Sequence, residues 1–436
     1  MSTDRSPKKN RLQAAREEYE ARAALPLIDL VDGSFHRAGF RFPTDILQRE
    51  FERYLAGPDY RPVAAGDPAA RAAIAAYYSG DRGGAAGGGG GGAAGGGDVG
   101  AGGNIGPDDI ILTVSSSESY RLLFDHLCEA GDSVLLPCPG YPLFEHLAEH
   151  SRVGVEFYDL QPENAWLPDP ARLEALMVSR PRVRALVLIS PNNPSGAVID
   201  ASRLAAIRAA AGRQGLVVIL DEVFREFVYE APQQTGAGAT GSVGRTPNPA
   251  AASADPAGGS ADPAGALLVR INGISKMFAC PDMKLGWMAV EAGTDARLSR
   301  EALLQRLEFA ADVYLSASGP AQHLVPALFA EGMGFVTEMR AELSRRREVM
   351  LEELAAAGGL TCVRPAGGIH CIVEVPGLPL DDEELAVRAV REEGLYVHPG
   401  YLYGIQERTA IVLSFLSHPE RIREGVARLR QLLRRL

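Results

Sequence analysis

The chain has 436 residues, of which 46% are hydrophobic and 23% are charged, as expected for a globular protein long enough to form two domains. Its net charge is −11 and its basic residues form no dense block, which argues against a nucleic-acid partner. The charged N-terminal segment lacks the apolar core of a signal peptide, and no apolar run reaches the length of a membrane span.

Strand and helix patterns alternate through the middle of the chain. Apolar strands are predicted at residues 133–139, 184–190 and 216–223, and amphipathic helices are predicted at 118–130, 170–180 and 202–215. This alternation predicts an α/β fold with a mostly parallel sheet that is covered by helices on both faces. Ligands bind such sheets beyond the carboxyl ends of the strands.

Composition also suggests how the chain is divided. Two stretches rich in Gly, Ala, Pro and Ser, at 79–104 and 231–265, are predicted to be flexible surface insertions. A long helix is predicted at 334–359, and short strands and helices follow it. We expect three parts: an N-terminal arm with part of a small domain (1–60), a large domain (61–334) and a small α+β C-terminal domain (335–436).

The cysteines and histidines suggest neither a disulfide framework nor a metal site. Five cysteines are scattered along the chain without a C-x-x-C pair, and eight histidines are dispersed without ligand spacing. This usage favours a reducing, cytoplasmic location.

Residues whose side chains could bind a ligand follow several of the predicted strands. Ser115, Ser116 and Ser117 stand where a helix begins, which fits either an anion site suited to a phosphate or a simple helix cap. Tyr141 follows the strand at 133–139, where its ring could stack on a planar ligand. Each of these features by itself also fits an ordinary loop.

Three further residues complete an ordered set. Asn193 lies in the turn SPNNPSG, and Asp221 ends a buried strand, where its carboxylate could cap the next segment or pair with a protonated ring nitrogen. Lys276 is followed eight positions later by Lys284. Lys276 is therefore either a solvated surface residue or a reactive amine that forms a Schiff base.

The set in this order resembles the class I/II pyridoxal-phosphate-dependent aminotransferases, the aspartate aminotransferase-like group of fold type I. The segments YRPVAAGDPAARAAIAAYY, SPNNPSG, DEVF and SKMFACPDMKLGW carry the resemblance, which covers most of the chain. It implies a large domain with a seven-stranded, mostly parallel sheet and a smaller α+β domain from both chain ends. It also implies pyridoxal phosphate as the cofactor and a homodimer.

The resemblance assigns roles to individual residues. Lys276 would bind the cofactor covalently and move a proton, and it must be neutral to do so, which burial beside cations favours. Asp221 would pair with the ring nitrogen, Asn193 would donate to the ring oxygen, and Tyr141 would stack on the ring. The residues expected at the phosphate are Ser116, Ser117, Ser275, Lys284 and, from the neighbouring subunit, Tyr60.

Three positions depart from the family pattern. Phe224 stands at a cofactor-binding position where the family has tyrosine, so a hydroxyl that would bond the ring oxygen is missing. Lys284 replaces an arginine and lacks its planar fork, which predicts weaker cofactor retention. Val412 replaces the arginine that clamps the substrate carboxylate.

The change at Val412 leaves two explanations open. The substrate lacks a carboxylate, or another group holds it. We favour another holder, with Arg408 and His370 as candidates. Gly39 is also expected on the substrate side, because its segment GSFHRAGFRFP resembles a family loop there, as do HPGYLYG and GGIHC.

Together these expectations describe a cytoplasmic, homodimeric aminotransferase that moves an amino group from an amino acid or amine to a 2-oxo acid by a ping-pong cycle. No metal, membrane or nucleic acid is expected to take part. A pyridoxal-phosphate-dependent lyase is the alternative, because the fold does not choose between these reactions. A non-catalytic regulator is a third, disfavoured possibility, because the short N-terminal segment has no room for a fused DNA-binding domain.

Overall fold

The computed structural model describes residues 10–22, 26–57, 60–80, 105–230, 265–293 and 297–436. The insertions predicted at 79–104 and 231–265 lie outside these residues, apart from Ser79, Gly80 and Gly265. The strands are β1 (Ile28–Asp29), β2 (Ile110–Thr113), β3 (Ser133–Cys138), β4 (Gly154–Asp159), β5 (Val183–Ile189), β6 (Val217–Asp221), β7 (Leu268–Gly273), β8 (Gly286–Glu291), β9 (His370–Glu374), β10 (Leu395–Tyr396), β11 (His398–Pro399) and β12 (Ala410–Ser414).

The helices confirm the predicted α/β pattern. They are α1 (Arg11–Arg22), α2 (Thr44–Leu55), α3 (Pro68–Ser79), α4 (Ser116–Leu127), α5 (Leu143–His150), α6 (Pro170–Ser179), α7 (Ala201–Arg213), α8 (Ile274–Met277), α9 (Arg300–Tyr314), α10 (Gly319–Glu331), α11 (Met333–Ala357), α12 (Asp382–Glu393) and α13 (Pro419–Leu433). Side-chain caps fix several starts: Asp169 and Asp200 accept hydrogen bonds from the first-turn amides of α6 and α7.

A seven-stranded sheet forms the centre of the molecule, with the strand order β2-β8-β7-β6-β5-β3-β4. Only β8 runs antiparallel to its neighbours, so the predicted mostly parallel sheet is confirmed. Alternate residues of each inner strand face opposite layers. On β6, Val218 and Leu220 pack towards α6 and α7, whereas Val217 and Ile219 pack towards α4 and α9.

A smaller sheet of three antiparallel strands, in the order β11-β12-β9, lies beside the large one. One face of it, with Cys371 and Leu413, packs against α11, α12 and α13. The opposite face, with Ile372 and Val412, packs against residues of the large sheet. The N-terminal residues join this part because β1 pairs with β10.

The predicted domain boundaries stay a prediction. The boundary at 334/335 falls in the first turn of α11, a helix of 25 residues. Within the described ranges, no helix is both long and apolar enough to cross a membrane. The same residues contain no group of three potential metal ligands among His, Cys, Asp and Glu.

Candidate active site

The N-terminus of α4 is held against the end of the large sheet. Ser115 caps the helix, because its hydroxyl accepts a hydrogen bond from the amide of Glu118 (3.2 Å). A Cβ atom on Gly286 would lie 3.2 Å from the amide nitrogen of Ser116, so glycine at this position lets β8 approach the helix start closely. Ser116 and Ser117, both half-buried, therefore stand in the first turn beside the segment that carries Lys276 and Lys284.

Lys276 lies in the short helix α8, directly after β7, and is half-buried. Burial lowers the pKa of Lys276, and the positive charge of Lys284 lowers it further. Its Nζ atom lies 5.6 Å from the centre of the Phe35 ring. Only four of the 44 basic residues of the chain are lysines, and two of these four meet here. A buried amine with a lowered pKa is a nucleophile.

Asp221 stands at the end of β6 with 5% of its surface exposed. One carboxylate oxygen accepts a hydrogen bond from the hydroxyl of Tyr120 (2.9 Å), and the other accepts one from the amide of Val223 (3.0 Å). Burial raises the pKa of Asp221 to about 6, and these two hydrogen bonds work against that rise. A cationic partner would stabilise the ionised form. The contact between Tyr120 and Asp221 was not anticipated, because the sequence pattern of α4 does not show which strand this side chain reaches.

The two asparagines of the SPNNPSG turn have different partners. Asn192 is buried and shapes the turn, since its side-chain oxygen accepts hydrogen bonds from the hydroxyl (2.8 Å) and the amide (3.3 Å) of Ser195. The side-chain oxygen of Asn193 is also buried but has no partner among the described residues. Because buried polar atoms are nearly always hydrogen-bonded, the oxygen of Asn193 is available to a ligand.

An N-terminal segment covers this region. His36 forms a hydrogen bond with the carbonyl oxygen of Ala279 (2.9 Å), three residues after Lys276. Gly39 has a φ of +91°, and a Cβ atom there would lie 3.2 Å from the His418 ring. Phe35 belongs to the same segment, and its contact with Lys276 was not anticipated. The segment was assigned to the substrate side by resemblance alone, and no periodic pattern pointed to Phe35.

Aromatic side chains complete the surroundings. Phe224 is buried with its ring 6.2 Å from that of Phe227, so it belongs to an aromatic cluster with Phe35. Tyr141 is 42% exposed at the carboxyl end of β3. Tyr60 is 82% exposed. Ser275 is half-buried immediately before Lys276.

The small sheet contributes the opposite wall. The GGIHC segment meets the asparagine turn through a hydrogen bond from the amide of Gly367 to the carbonyl oxygen of Gly196 (2.9 Å). His370 is half-buried at the start of β9, and burial lowers its pKa to about 3, with further lowering by nearby His398 and Lys276. Arg408 lies elsewhere: its guanidinium donates a hydrogen bond to Glu374 (2.9 Å).

A cavity of about 440 Å³ adjoins the site. It lies between the carboxyl ends of β3 and β4 and the segment 402–408, and it reaches the site at Tyr141. Arg408 and Tyr403 line its other side. The cavity therefore extends from the predicted ring-stacking residue towards the edge of the large sheet and has room for a ligand substituent.

Comparison with known proteins identifies the family. Residues 63–429 match the family model "Aminotransferase class I and II". The chain belongs to this family. The resemblance, the fold and the cofactor expected from the sequence are therefore confirmed, since members of the class I and II family use pyridoxal phosphate.

Individual relatives are distant. Nicotianamine aminotransferase A of Hordeum vulgare is 26% identical over 88% of this chain and 74% of its own length. S-alkyl-thiohydroximate lyase SUR1 of Arabidopsis thaliana is 24% identical over 72% of this chain, which spans only 63% of that relative. The solved structure of alanine aminotransferase from Pyrococcus furiosus superposes with a TM-score of 0.78 over 97% of this chain and 95% of its own, at 22% identity.

The residues of the site fit pyridoxal phosphate. An amine with a lowered pKa follows β7, and a carboxylate at the end of the neighbouring strand β6 is buried without a cationic partner among the described residues. An asparagine oxygen that also lacks a partner among these residues lies in the turn after β5, the next strand of the sheet. These groups match an aldehyde, a protonated ring nitrogen and a ring hydroxyl, respectively. The first turn of α4 with Lys284 nearby suits a phosphate.

Proposed function

We propose that the protein is a pyridoxal-phosphate-dependent transaminase that moves an amino group from an amino acid or amine to a 2-oxo acid by a ping-pong cycle. The observation that supports this best is that Asn193, Asp221 and Lys276 stand at or just beyond the carboxyl ends of three neighbouring parallel strands, β5, β6 and β7. When bound, the cofactor supplies an electron-withdrawing ring that stabilises negative charge on the substrate carbon.

Each residue has a role in this proposal. Lys276 binds the cofactor covalently and, once released, its neutral amine carries a proton to and from the substrate carbon. Asp221, held by Tyr120, keeps the ring nitrogen protonated through an ion pair. Asn193 contacts the ring oxygen and Tyr141 stacks on the ring, while Phe224 packs beside it. The phosphate is bound by the side chains of Ser116, Ser117, Ser275 and Lys284.

Borohydride trapping tests the covalent link. The protein is incubated with pyridoxal phosphate, reduced, digested and examined by mass spectrometry. Only Lys276 is expected to carry the adduct, and Lys276→Ala is expected to carry none while Lys284→Arg still does. The chain has only two other lysines, Lys8 and Lys9, so an adduct elsewhere would be identified without ambiguity and would contradict the proposal.

Incubation with the amino donor alone separates transamination from elimination. A transaminase stops after one equivalent of donor and accumulates the amine form of the cofactor. A lyase continues to release ammonia and an oxo acid. The alternative is kept because the relative SUR1 is named a lyase. Catalytic release of ammonia without an acceptor would decide in its favour.

We also propose that the protein is a homodimer whose partner contributes Tyr60. Large apolar side chains are exposed at Leu55 (80%), Tyr60, Val313 (63%) and Tyr314 (68%). The end of α2 lies close to the start of α10, since a Cβ atom on Gly319 would lie 2.9 Å from the hydroxyl of Tyr54. Large apolar side chains exposed in this number favour a protein partner.

Light scattering on size-exclusion fractions tests the dimer. The wild type is expected at twice the chain mass, and Tyr314→Asp is expected to shift it towards the monomer. Val178→Asp on α6 is a matched control, because Val178 is 60% exposed but lies on a different helix from Tyr314. A monomeric wild type would contradict the proposal.

The five cysteines are all free thiols, which agrees with a reducing compartment, although location in the cytoplasm stays a prediction.

A further inference from the structure

The register of the small sheet places three side chains side by side on the face that meets the large sheet. Val412 pairs with His398 on one side and with Ile372 on the other. His370 pairs with Ser414, two residues further along β12. Because side chains alternate along strands, Val412, His398 and His370 project from the same face. The two imidazoles therefore flank the position where the family arginine is replaced.

Val412 cannot itself bind a polar group. Its side chain is fully buried and packs in the apolar cluster that also contains Ile372 and Tyr403. Arg408 does not replace the missing arginine, because its guanidinium donates to Glu374 (2.9 Å) and to Gln161 (3.4 Å) at the edge of the cavity. Arg408 also lies outside the segment Ala410–Ser414 that pairs with β9.

His398 has one fixed partner. Its Nδ1 atom lies 3.0 Å from the hydroxyl of Tyr403, with the two ring centres 6.0 Å apart. With Nδ1 accepting from this hydroxyl, Nε2 carries the hydrogen and is left to donate to a ligand. His398 also lies within electrostatic range of His370, which in turn lies within range of Lys276. His370 therefore links His398 to Lys276 electrostatically.

Burial lowers the pKa of His398, and Arg16 adds to this lowering while Asp29 opposes it. The lowered pKa favours the uncharged imidazole. An incoming carboxylate would favour the charged form, so that carboxylate and proton bind together. The titratable groups packed around His398 are Arg16, Asp29, Tyr396, Tyr403 and His370.

We propose that His398, oriented by Tyr403 and with His370 beside it, binds the α-carboxylate of the amino donor and the oxo acid in place of the family arginine. This inference rests on the proposed transaminase function. An imidazole offers one hydrogen bond where a guanidinium offers two, so the clamp is weaker. It also makes binding of the carboxylate depend on pH, which an arginine, charged at all relevant pH values, does not.

Matched donors test the inference in the wild type. The rate of conversion of the cofactor-bound protein is measured with L-alanine and with L-alaninamide between pH 6 and pH 9. We expect kcat/KM to favour the acid by more than about threefold at pH 6, since hydrogen bonds to charged groups are the stronger ones. That preference should decline as the pH rises, by at most about tenfold per pH unit. A smaller preference at pH 6, or one that does not change with pH, would overturn the proposal.

Variants identify the residue. His398→Phe should remove the preference for the acid, mainly through KM, whereas His398→Gln should keep part of it without the pH dependence. Adding Val412→Arg to His398→Phe should restore the preference and make it independent of pH. Val412→Leu in the same background is the matched apolar control and should restore nothing. If His398→Phe retains the preference and its pH dependence, another residue holds the carboxylate and the inference is wrong.

A binding measurement keeps this test separate from the proposed function. The compound 2-aminoisobutyrate and its amide have no hydrogen on the carbon next to the amine, so they bind without transamination. Calorimetric titration should show the same preference for the acid, declining from pH 6 to pH 9. If no donor reacts in any assay, the transaminase proposal fails, and the calorimetric preference still decides whether His398 binds a carboxylate.

Discussion

The large sheet and the small sheet meet at the cleft and differ in the ionisable groups that they carry. The carboxyl ends of the large sheet carry the buried carboxyl groups of Asp221 and Glu222 and the half-buried amine of Lys276, and a network of ion pairs lies behind them. The inward face of the small sheet presents Val412 with His398 and His370, whose pKa values are both lowered. The ion pairs behind the large sheet keep their charges, whereas an imidazole with a lowered pKa gains a charge only beside an anion, which suits substrates that come and go.

The ion pairs behind the large sheet should give the largest effect. Glu222 is fully buried and accepts hydrogen bonds from Arg270 (2.6 Å) and Arg225 (3.0 Å). Glu222→Gln leaves buried guanidinium charge without its partner, so we expect a loss of about 3–5 kcal/mol in the free energy of unfolding. Denaturant titration measures it. Glu163→Gln, at a side chain that is 72% exposed, should change little; an equal effect of both would show that the network is unimportant.

Asp221→Asn should have the next largest effect and should separate activity from stability. We expect the rate to fall by about 10²–10³-fold, because a fixed charge at the cofactor is lost. The cofactor-free variant should nevertheless be more stable than the wild type at pH 8. The pKa of Asp221 is raised to about 6 in the fold, above its ordinary 3.8. The wild type therefore loses stability as the pH rises from about 4 to 6, and the variant does not.

Thermal unfolding of both cofactor-free proteins at pH 4 and pH 8 checks this sign. The stability advantage of Asp221→Asn should be present at pH 8 and much smaller at pH 4, where the folded carboxyl group is protonated and the unfolded one, with its ordinary pKa of 3.8, is only partly ionised. An advantage of the wild type at pH 8 would show that an unrecognised cation already stabilises the carboxylate.

Tyr120→Phe should have a moderate effect that depends on pH. Without the hydroxyl, the pKa of Asp221 rises further, so less of the carboxylate is ionised near neutral pH. We expect cofactor affinity to fall by about tenfold at pH 6 and by less at pH 8. Tyr158→Phe is the control, since Tyr158 is also buried but donates to the carbonyl oxygen of Val187. The same pH dependence in both variants would mean that the effect does not act through Asp221.

Lys284→Arg should give the smallest effect. An arginine adds a planar, bidentate fork to the same positive charge, so severalfold tighter cofactor binding is expected from spectroscopic titration. Lys284→Met should weaken binding. No gain from arginine would show that the left-handed backbone at this position, with a φ of +53°, does not let a guanidinium reach the phosphate.

Much of the fold could be predicted from the sequence because its determinants are local. The strand patterns at 133–139 and 184–190 match β3 and β5 within one residue at each end, and the helix predicted at 334–359 matches α11 within two. Lys276, Asp221 and Asn193 were also identified, since strand-end positions in a parallel sheet converge whatever the rest of the chain does. Which of these residues hold the cofactor stays a proposal.

What the sequence determined by itself was the periodicity of its strands and helices and the order of reactive residues along the chain. Only the tertiary structure decided which distant parts of the chain meet: Tyr120 with Asp221, Phe35 with Lys276, and His398 beside Val412. These contacts join residues 101, 241 and 14 positions apart. Contact between residues so far apart along the chain depends on strand register and helix packing, which no local pattern of hydrophobic residues encodes.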